Sequence, residues 1–250
     1  MVMLSTHRLG ARFGSREVLR DVTLPPCYGG EVVAVIGPNA AGKSTLFRRL
    51  AAILPGPGEC RLEGVRDADR AVAYMPQDQT ASAVLTVFES VLLARKQVSG
   101  WRLERSDLMA VDQALAALDM GDLANEILSE LSGGQRQLVG LAQCLVREPQ
   151  VLLLDEPTSA LDMHRQLEAM RQVRSLAHDD GMLVLIALHH LDLALKFADK
   201  VAILSDGTLH DFGTAAEVLT PENLAATFRI RARIESCSQG KPHLIVDDAI

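Results

Sequence analysis

The run Gly37-Pro38-Asn39-Ala40-Ala41-Gly42-Lys43-Ser44-Thr45 constrains this chain more than any other stretch of its 250 residues. Val32 to Ile36 before it reads as a buried strand, and a helical pattern follows from Lys43 to about Ile53, stopped by Pro55. Glycines in such a turn let successive backbone N–H groups converge on an anion, and the helix N-terminus adds partial positive charge. Lys43 is expected to reach the β- and γ-phosphates, and the Ser44 hydroxyl to join the coordination of Mg²⁺. The strand–turn–helix setting predicts a nucleoside triphosphate site over residues 37 to 45.

Such a site needs a metal-directed carboxylate on a neighbouring strand. Val151 to Leu154 is a continuous aliphatic run ending in Asp155 and Glu156. Ligands of open α/β sheets sit beyond the carboxyl ends of the strands, which places both acids near the phosphates. Asp155 fits the Mg²⁺ shell, and Glu156 fits a base that orients or deprotonates the attacking water.

The rest of the chain supports an α/β core. Leu183 to Leu188 is a second continuous apolar run, as expected of strands buried on both faces of a parallel sheet. Val18 to Leu24 reads as a strand, Asp162 as the cap of a following helix, and Val201 to Phe212 as a hairpin turning at Asp206-Gly207. Residues 80 to 131 look helical, with Leu108, Val111, Leu115 and Leu118 at helical spacing behind Ser106 as N-cap. The domain reading is a single unit: a core over 1–79 and 142–229, a helical insertion over 80–141, and a terminal strand pair over 230–250.

Charge and cysteine usage narrow the partners. Lys plus Arg is 25 against 32 Asp plus Glu, a net charge of −7, which disfavours gripping nucleic acid backbones. The four cysteines, Cys27, Cys60, Cys144 and Cys237, lie far apart without C-x-x-C pairing, unlike a zinc or disulfide framework. No apolar run approaches the roughly 20 residues needed to span a bilayer as a helix. These features predict a cytoplasmic protein.

A second anion cradle appears at Leu131-Ser132-Gly133-Gly134-Gln135, where a small-residue turn again opens a helix. With the cradle at 37 to 45 and the acids at 155 and 156, the whole chain resembles the nucleotide-binding subunit of an ABC transporter. The matches are Walker A at 37 to 45, the LSGGQ signature at 131 to 135, Walker B at 151 to 156 and the D-loop at 159 to 162. The resemblance implies a RecA-like P-loop NTPase core with an N-terminal antiparallel β subdomain and an inserted α-helical subdomain. It also implies ATP as nucleotide and an ATPase activity coupled to transport.

Further roles follow from the resemblance alone. Gln77 in Tyr74-Met75-Pro76-Gln77 resembles the Q-loop glutamine, sensing Mg²⁺ and water and linking to the membrane subunit. His189 resembles the switch histidine at the γ-phosphate, and Phe13 the aromatic that stacks on adenine. Two copies are expected head to tail, each ATP lying between residues 37 to 45 of one and Ser132, Gly133, Gly134 and Gln135 of the other, with Asp162 nearby. Departures are Ala40 where glycine is common, His190 after His189, and Gln143-Cys144 after the signature helix.

Thr86-Val87-Phe88-Glu89-Ser90-Val91, the stretch Ser159 to Glu168 and the ending Glu217 to Leu224 resemble importer ATPases for iron–siderophores, haem and cobalamin. That likeness implies a separate transmembrane permease, an extracytoplasmic substrate-binding protein, and a peripheral place on the cytoplasmic face of the inner (plasma) membrane. Import of another small solute, or a non-transport role such as iron–sulfur assembly, stays open as an alternative.

Overall fold

A computed structural model describes residues 1–68, 70–77, 84–238 and 240–250. In chain order its first half holds β1 (Met3–His7), β2 (Leu9–Phe13), β3 (Arg16–Val22), β4 (Cys27–Tyr28), β5 (Val32–Ile36), α1 (Lys43–Leu50), β6 (Glu59–Glu63), β7 (Val72–Met75), α2 (Val87–Ser99) and α3 (Arg105–Ala116). There follow α4 (Gly133–Leu145), β8 (Val151–Asp155), α5 (Met163–His178), β9 (Leu183–Ala187), α6 (Leu191–Phe197), β10 (Lys200–Ser205), β11 (Thr208–Gly213), α7 (Ala215–Val218), α8 (Pro221–Phe228), β12 (Ile230–Ser236) and β13 (Pro242–Ala249).

The central sheet has the order β11-β10-β5-β9-β8-β7, and all its pairs are parallel except β10–β11. Its inner strands β5, β9 and, up to Leu154, β8 read as unbroken apolar runs because both faces are covered. Along β5, Val32, Ala34 and Ile36 pack on the side of α2 to α6, while Val33 and Val35 pack against α1 and the N-terminal strands. Those N-terminal strands form two small antiparallel sheets, β4-β1-β6 and the hairpin β2–β3, while β12 and β13 pair at the C-terminal end. The hairpin β10–β11 turns through Asp206 and Gly207, both at positive φ, as its sequence predicts.

Several element limits differ from the sequence expectation. Helix α1 stops at Leu50, short of Ile53, because Ala52 takes a left-handed conformation (φ 56°). The Ile53 and Leu54 N–H groups then fold back onto the Arg48 carbonyl, and the Arg49 guanidinium donates to the carbonyls of Leu54, Gly56 and Pro57. Pro55 therefore lies in a turn already closed. The strand expected over Val18 to Leu24 runs from Arg16 to Val22.

The helical stretch is also less continuous than its periodicity suggests. After α3 it contains only two short 3₁₀ turns, Gly121–Leu123 and Leu128–Glu130, before α4. Helix α3 begins behind Glu104, not Ser106, because the Glu104 N–H donates to the Asp107 carboxylate at 3.0 Å. Asp107 is itself held by Lys96 at 2.6 Å and Arg95 at 3.3 Å, and Arg95 also reaches the Val146 carbonyl and Glu148. This buried ion cluster ties α2, α3 and the turn after α4 together. The limit expected between residues 79 and 80 lies outside the described residues.

Candidate functional site

Strand order builds the site. The four adjacent parallel strands β5, β9, β8 and β7 end at one rim of the sheet, in register Val35 with Ala187, Ala187 with Asp155, and Leu154 with Met75. The segments that leave that rim are the loop Gly37 to Gly42, His189, the pair Asp155–Glu156, and Gln77. Residues separated by up to 152 positions in sequence thus meet without any long connection crossing the sheet.

The first loop is shaped by what surrounds it. A Cβ on Gly37 would lie 2.1 Å from the Leu204 carbonyl oxygen, so no other residue fits the approach to β10. Gly42 has φ 103°, outside the range that other residues adopt easily. Lys43 lies buried at the base of α1, its ammonium donating to the Gly37 carbonyl at 2.8 Å and to Pro38 at 3.3 Å. Burial lowers its pKa while Glu156 and Asp155 push it back up. Asn39, Ala40, Ala41, Gly42, Lys43, Ser44 and Thr45 line one cleft together with Gln77, Glu156 and His189.

Glu156 stands at φ 54°, a left-handed conformation at the turn out of β8. Strain of this kind is retained where the surroundings hold it, often at functional sites. Here the surroundings are specific: Gln77 donates Nε2–H to Glu156 Oε2 at 2.7 Å, and His189 Nε2 meets Oε1. The sequence-predicted trio Glu156, Gln77 and His189 is one contact group. Asp155 is buried beside it, and burial raises its pKa, opposed by the nearby Ser44 and Tyr74 hydroxyls.

Asp155 supplies the test of a divalent ion. Its Oδ2 accepts the Tyr74 hydroxyl at 3.2 Å, while Oδ1 is buried without a hydrogen-bond partner among the described residues. A buried carboxylate oxygen left without a partner is costly, and a hard cation satisfies it. With the Ser44 hydroxyl close by, the donor set is all oxygen, as Mg²⁺ prefers. The residues fit the ion.

Phe13 is not part of this cleft wall. It is 46% exposed at the end of β2, opposite Arg16, and the wall on that side is made by Arg16 and Val18 of β3. Neither had a motif to announce it.

A second cleft is lined by Ser132, Gly133, Gly134, Gln135, Leu138, Ala160, Leu161, Asp162 and Arg165, and shares no residue with the first. Ser132 and Gln135 cap α4 reciprocally: the Gln135 N–H donates to Ser132 Oγ at 3.2 Å, and the Ser132 N–H to Gln135 Oε1 at 2.8 Å. Because Ser132 Oγ accepts there, its own hydroxyl hydrogen is left to donate elsewhere. Asp162 caps α5 through the Arg165 N–H at 2.9 Å, as its sequence position suggests. Gln137 of α4 reaches Ser159 at 3.1 Å, linking the second cradle to the turn that follows Glu156. Arg165, a cation on this cleft, carried no sequence signal beyond its distance from Asp162.

A family model described as ABC transporter matches residues 20–159, more than half of the chain. The chain belongs to the ABC transporter family. A hemin import ATP-binding protein of Pseudomonas entomophila is 39% identical over 246 residues, covering 93% of this chain and 95% of the relative. An iron(3+)-hydroxamate import ATP-binding protein of Bacillus subtilis is 35% identical over 246 residues, covering 94% and 90%. Among solved structures, an ABC transporter assigned to the metal-chelate type, in an inward-facing conformation, superposes with a TM-score of 0.87 at 28% identity, covering 99% of this chain and 98% of the other. As an ABC ATP-binding protein the chain is an ATPase built on the fold that its sequence implied. Among the described residues no helix is long and apolar enough to cross a membrane.

Proposed function

We propose that this chain is the ATP-binding subunit of an importer for a metal chelate, iron–siderophore before haem or cobalamin, working with a separate transmembrane permease. The convergence of Lys43, Asp155, Glu156, Gln77 and His189 at one end of four parallel strands carries the catalytic part of this reading. The loop Gly37 to Thr45 binds the phosphates through backbone N–H groups and Lys43, which must then release the Gly37 and Pro38 carbonyls. Phe13, paired with Arg16 of the cleft wall, would have to swing toward the cleft to serve the adenine.

Ser44, Asp155 and Gln77 would hold Mg²⁺, which neutralises charge on the phosphate oxygens when bound. Glu156 orients the attacking water and takes its proton. In the present arrangement both oxygens of Glu156 are engaged, by His189 and by Gln77, so the base is held until those two side chains are drawn to the nucleotide. Glu156→Gln is expected to keep ATP binding and lose hydrolysis by roughly 10² to 10⁴-fold. Turnover at the wild-type rate would remove Glu156 from this role.

The two separate clefts support a head-to-tail dimer, in which Ser132, Gly133, Gly134, Gln135 and Asp162 of one copy close over the nucleotide of the other. Closure on ATP and reopening after hydrolysis would drive a permease from the cytoplasmic face of the inner membrane, with a binding protein outside delivering cargo. The likeness to the hemin and iron-hydroxamate import proteins supports the cargo class. Vesicles carrying the chain with its permease should take up a ferric siderophore only with ATP and the binding protein present. Uptake of none of a panel of ferric siderophores, haem and cobalamin would reject the metal-chelate reading.

A further inference from the structure

Tyr74, three residues before Gln77, has no role assigned by its motif, yet it holds the carboxylate on which the metal reading depends. Strand parity explains its position. Tyr74 pairs in register with Leu153 of β8, and Asp155 is two residues further along that strand, so both side chains leave the same face of adjacent strands. That face also carries α1, whose Leu46 and Phe47 share the apolar cluster with Val72, Tyr74 and Leu153.

The direction of the Tyr74 hydrogen bond is fixed by its partner: a carboxylate only accepts, so the phenol donates to Asp155 Oδ2, 3.2 Å away. The Arg48 guanidinium of α1, which has donors only, lies beside the same phenol and leaves that hydrogen to Asp155. The result is a chain from the helix behind the phosphate loop, through β7, to the end of β8.

We propose that Tyr74, backed by Arg48, is a positioning residue: it ties down Asp155 Oδ2 and so leaves the buried Oδ1 as the oxygen offered to the divalent ion. This rests on reading Asp155 as a metal ligand. Partners that orient a ligating carboxylate typically contribute 10- to 100-fold in metal affinity. The phenol touches neither water nor phosphate in this scheme, so its loss acts on the ion and spares nucleotide affinity.

The test is binding of a fluorescent ATP analogue to the full-length chain, first in EDTA and then across a titration with Mn²⁺ or Mg²⁺. Tyr74→Phe should leave the metal-free affinity within about twofold and raise the divalent midpoint by about 10-fold or more. Arg48→Ala should raise the midpoint less, and the double variant no more than Tyr74→Phe alone, because both act through one hydrogen bond. Thermal melting of each variant shows whether it is folded, and Arg48→Ala, at an exposed position, provides the reading if Tyr74→Phe does not fold. Asp155→Asn separates the two levels of the argument. If it loses the divalent response while Tyr74→Phe keeps a wild-type midpoint, the positioning role is overturned and the metal reading stands. If Asp155→Asn itself responds normally to the ion, both fail.

Discussion

Ala40 shows how a single backbone angle decides what a sequence departure means. In sequence it only replaces a glycine that is common in this loop; in the structure it sits at φ 63°, in the left-handed region. A residue with a Cβ pays about 1 kcal/mol or more there relative to glycine, partly offset by the extra freedom glycine brings to the unfolded chain. Ala40→Gly is therefore expected to raise the melting temperature by about 2 °C for a chain of this size. A melting curve that moves down would mean that the loop draws stability from the Ala40 methyl. The chemistry-bearing residues Lys43, Asp155 and Glu156 were legible in the sequence because each stands directly against a buried strand or a glycine turn. The contact of Tyr74 with Asp155 and the places of Arg16 and Arg165 on the two clefts were not, since each depends on which elements pack beside them.

At the scale of elements, the helical unit rests on charge as well as on apolar packing. Asp107 is buried against Lys96 and Arg95, and hydrogen bonds, first from Lys96, hold its pKa well below the usual carboxylate range. Removing the anion leaves the buried Lys96 without its carboxylate partner and Arg95 with Glu148 alone, so Asp107→Asn is expected to cost about 3 kcal/mol in urea unfolding at neutral pH. The sign of the pH effect follows from the depressed value. The contribution is complete above the unfolded carboxyl's pKa near 4 and is lost as pH falls through the lower folded value. The gap between wild type and variant should then be the same at pH 7 and pH 5 and shrink in stronger acid; a gap already closed at pH 5 would show that the pair is not what holds α2 to α3. Periodicity alone misplaced the start of α3 at Ser106, because a serine near a helix start is a local signal. The competing cap through Glu104 is made by Asp107, whose orientation depends on α2.

For the whole molecule, the proposed head-to-tail dimer makes each of the two clefts half of a site. In a Glu156→Gln background ATP should drive a shift from monomer to dimer on size-exclusion chromatography, and Ser132→Arg should abolish that shift while fluorescent ATP still binds. A dimer that persists with Ser132→Arg would place the contact elsewhere. The sequence by itself determined the phosphate loop, the acid pair, the second cradle and the buried strands, because each is a local pattern of backbone freedom, helix termini and side-chain periodicity. Strand order was decided only by the tertiary structure: nothing local in β5 states that β9, formed some 150 residues later, will lie between it and β8. That order brings Gln77, Glu156 and His189 into contact and sets Tyr74 diagonally across from Asp155. The physical reason is that parallel pairing joins segments distant in sequence, and its register is chosen by burying both faces of the sheet at once.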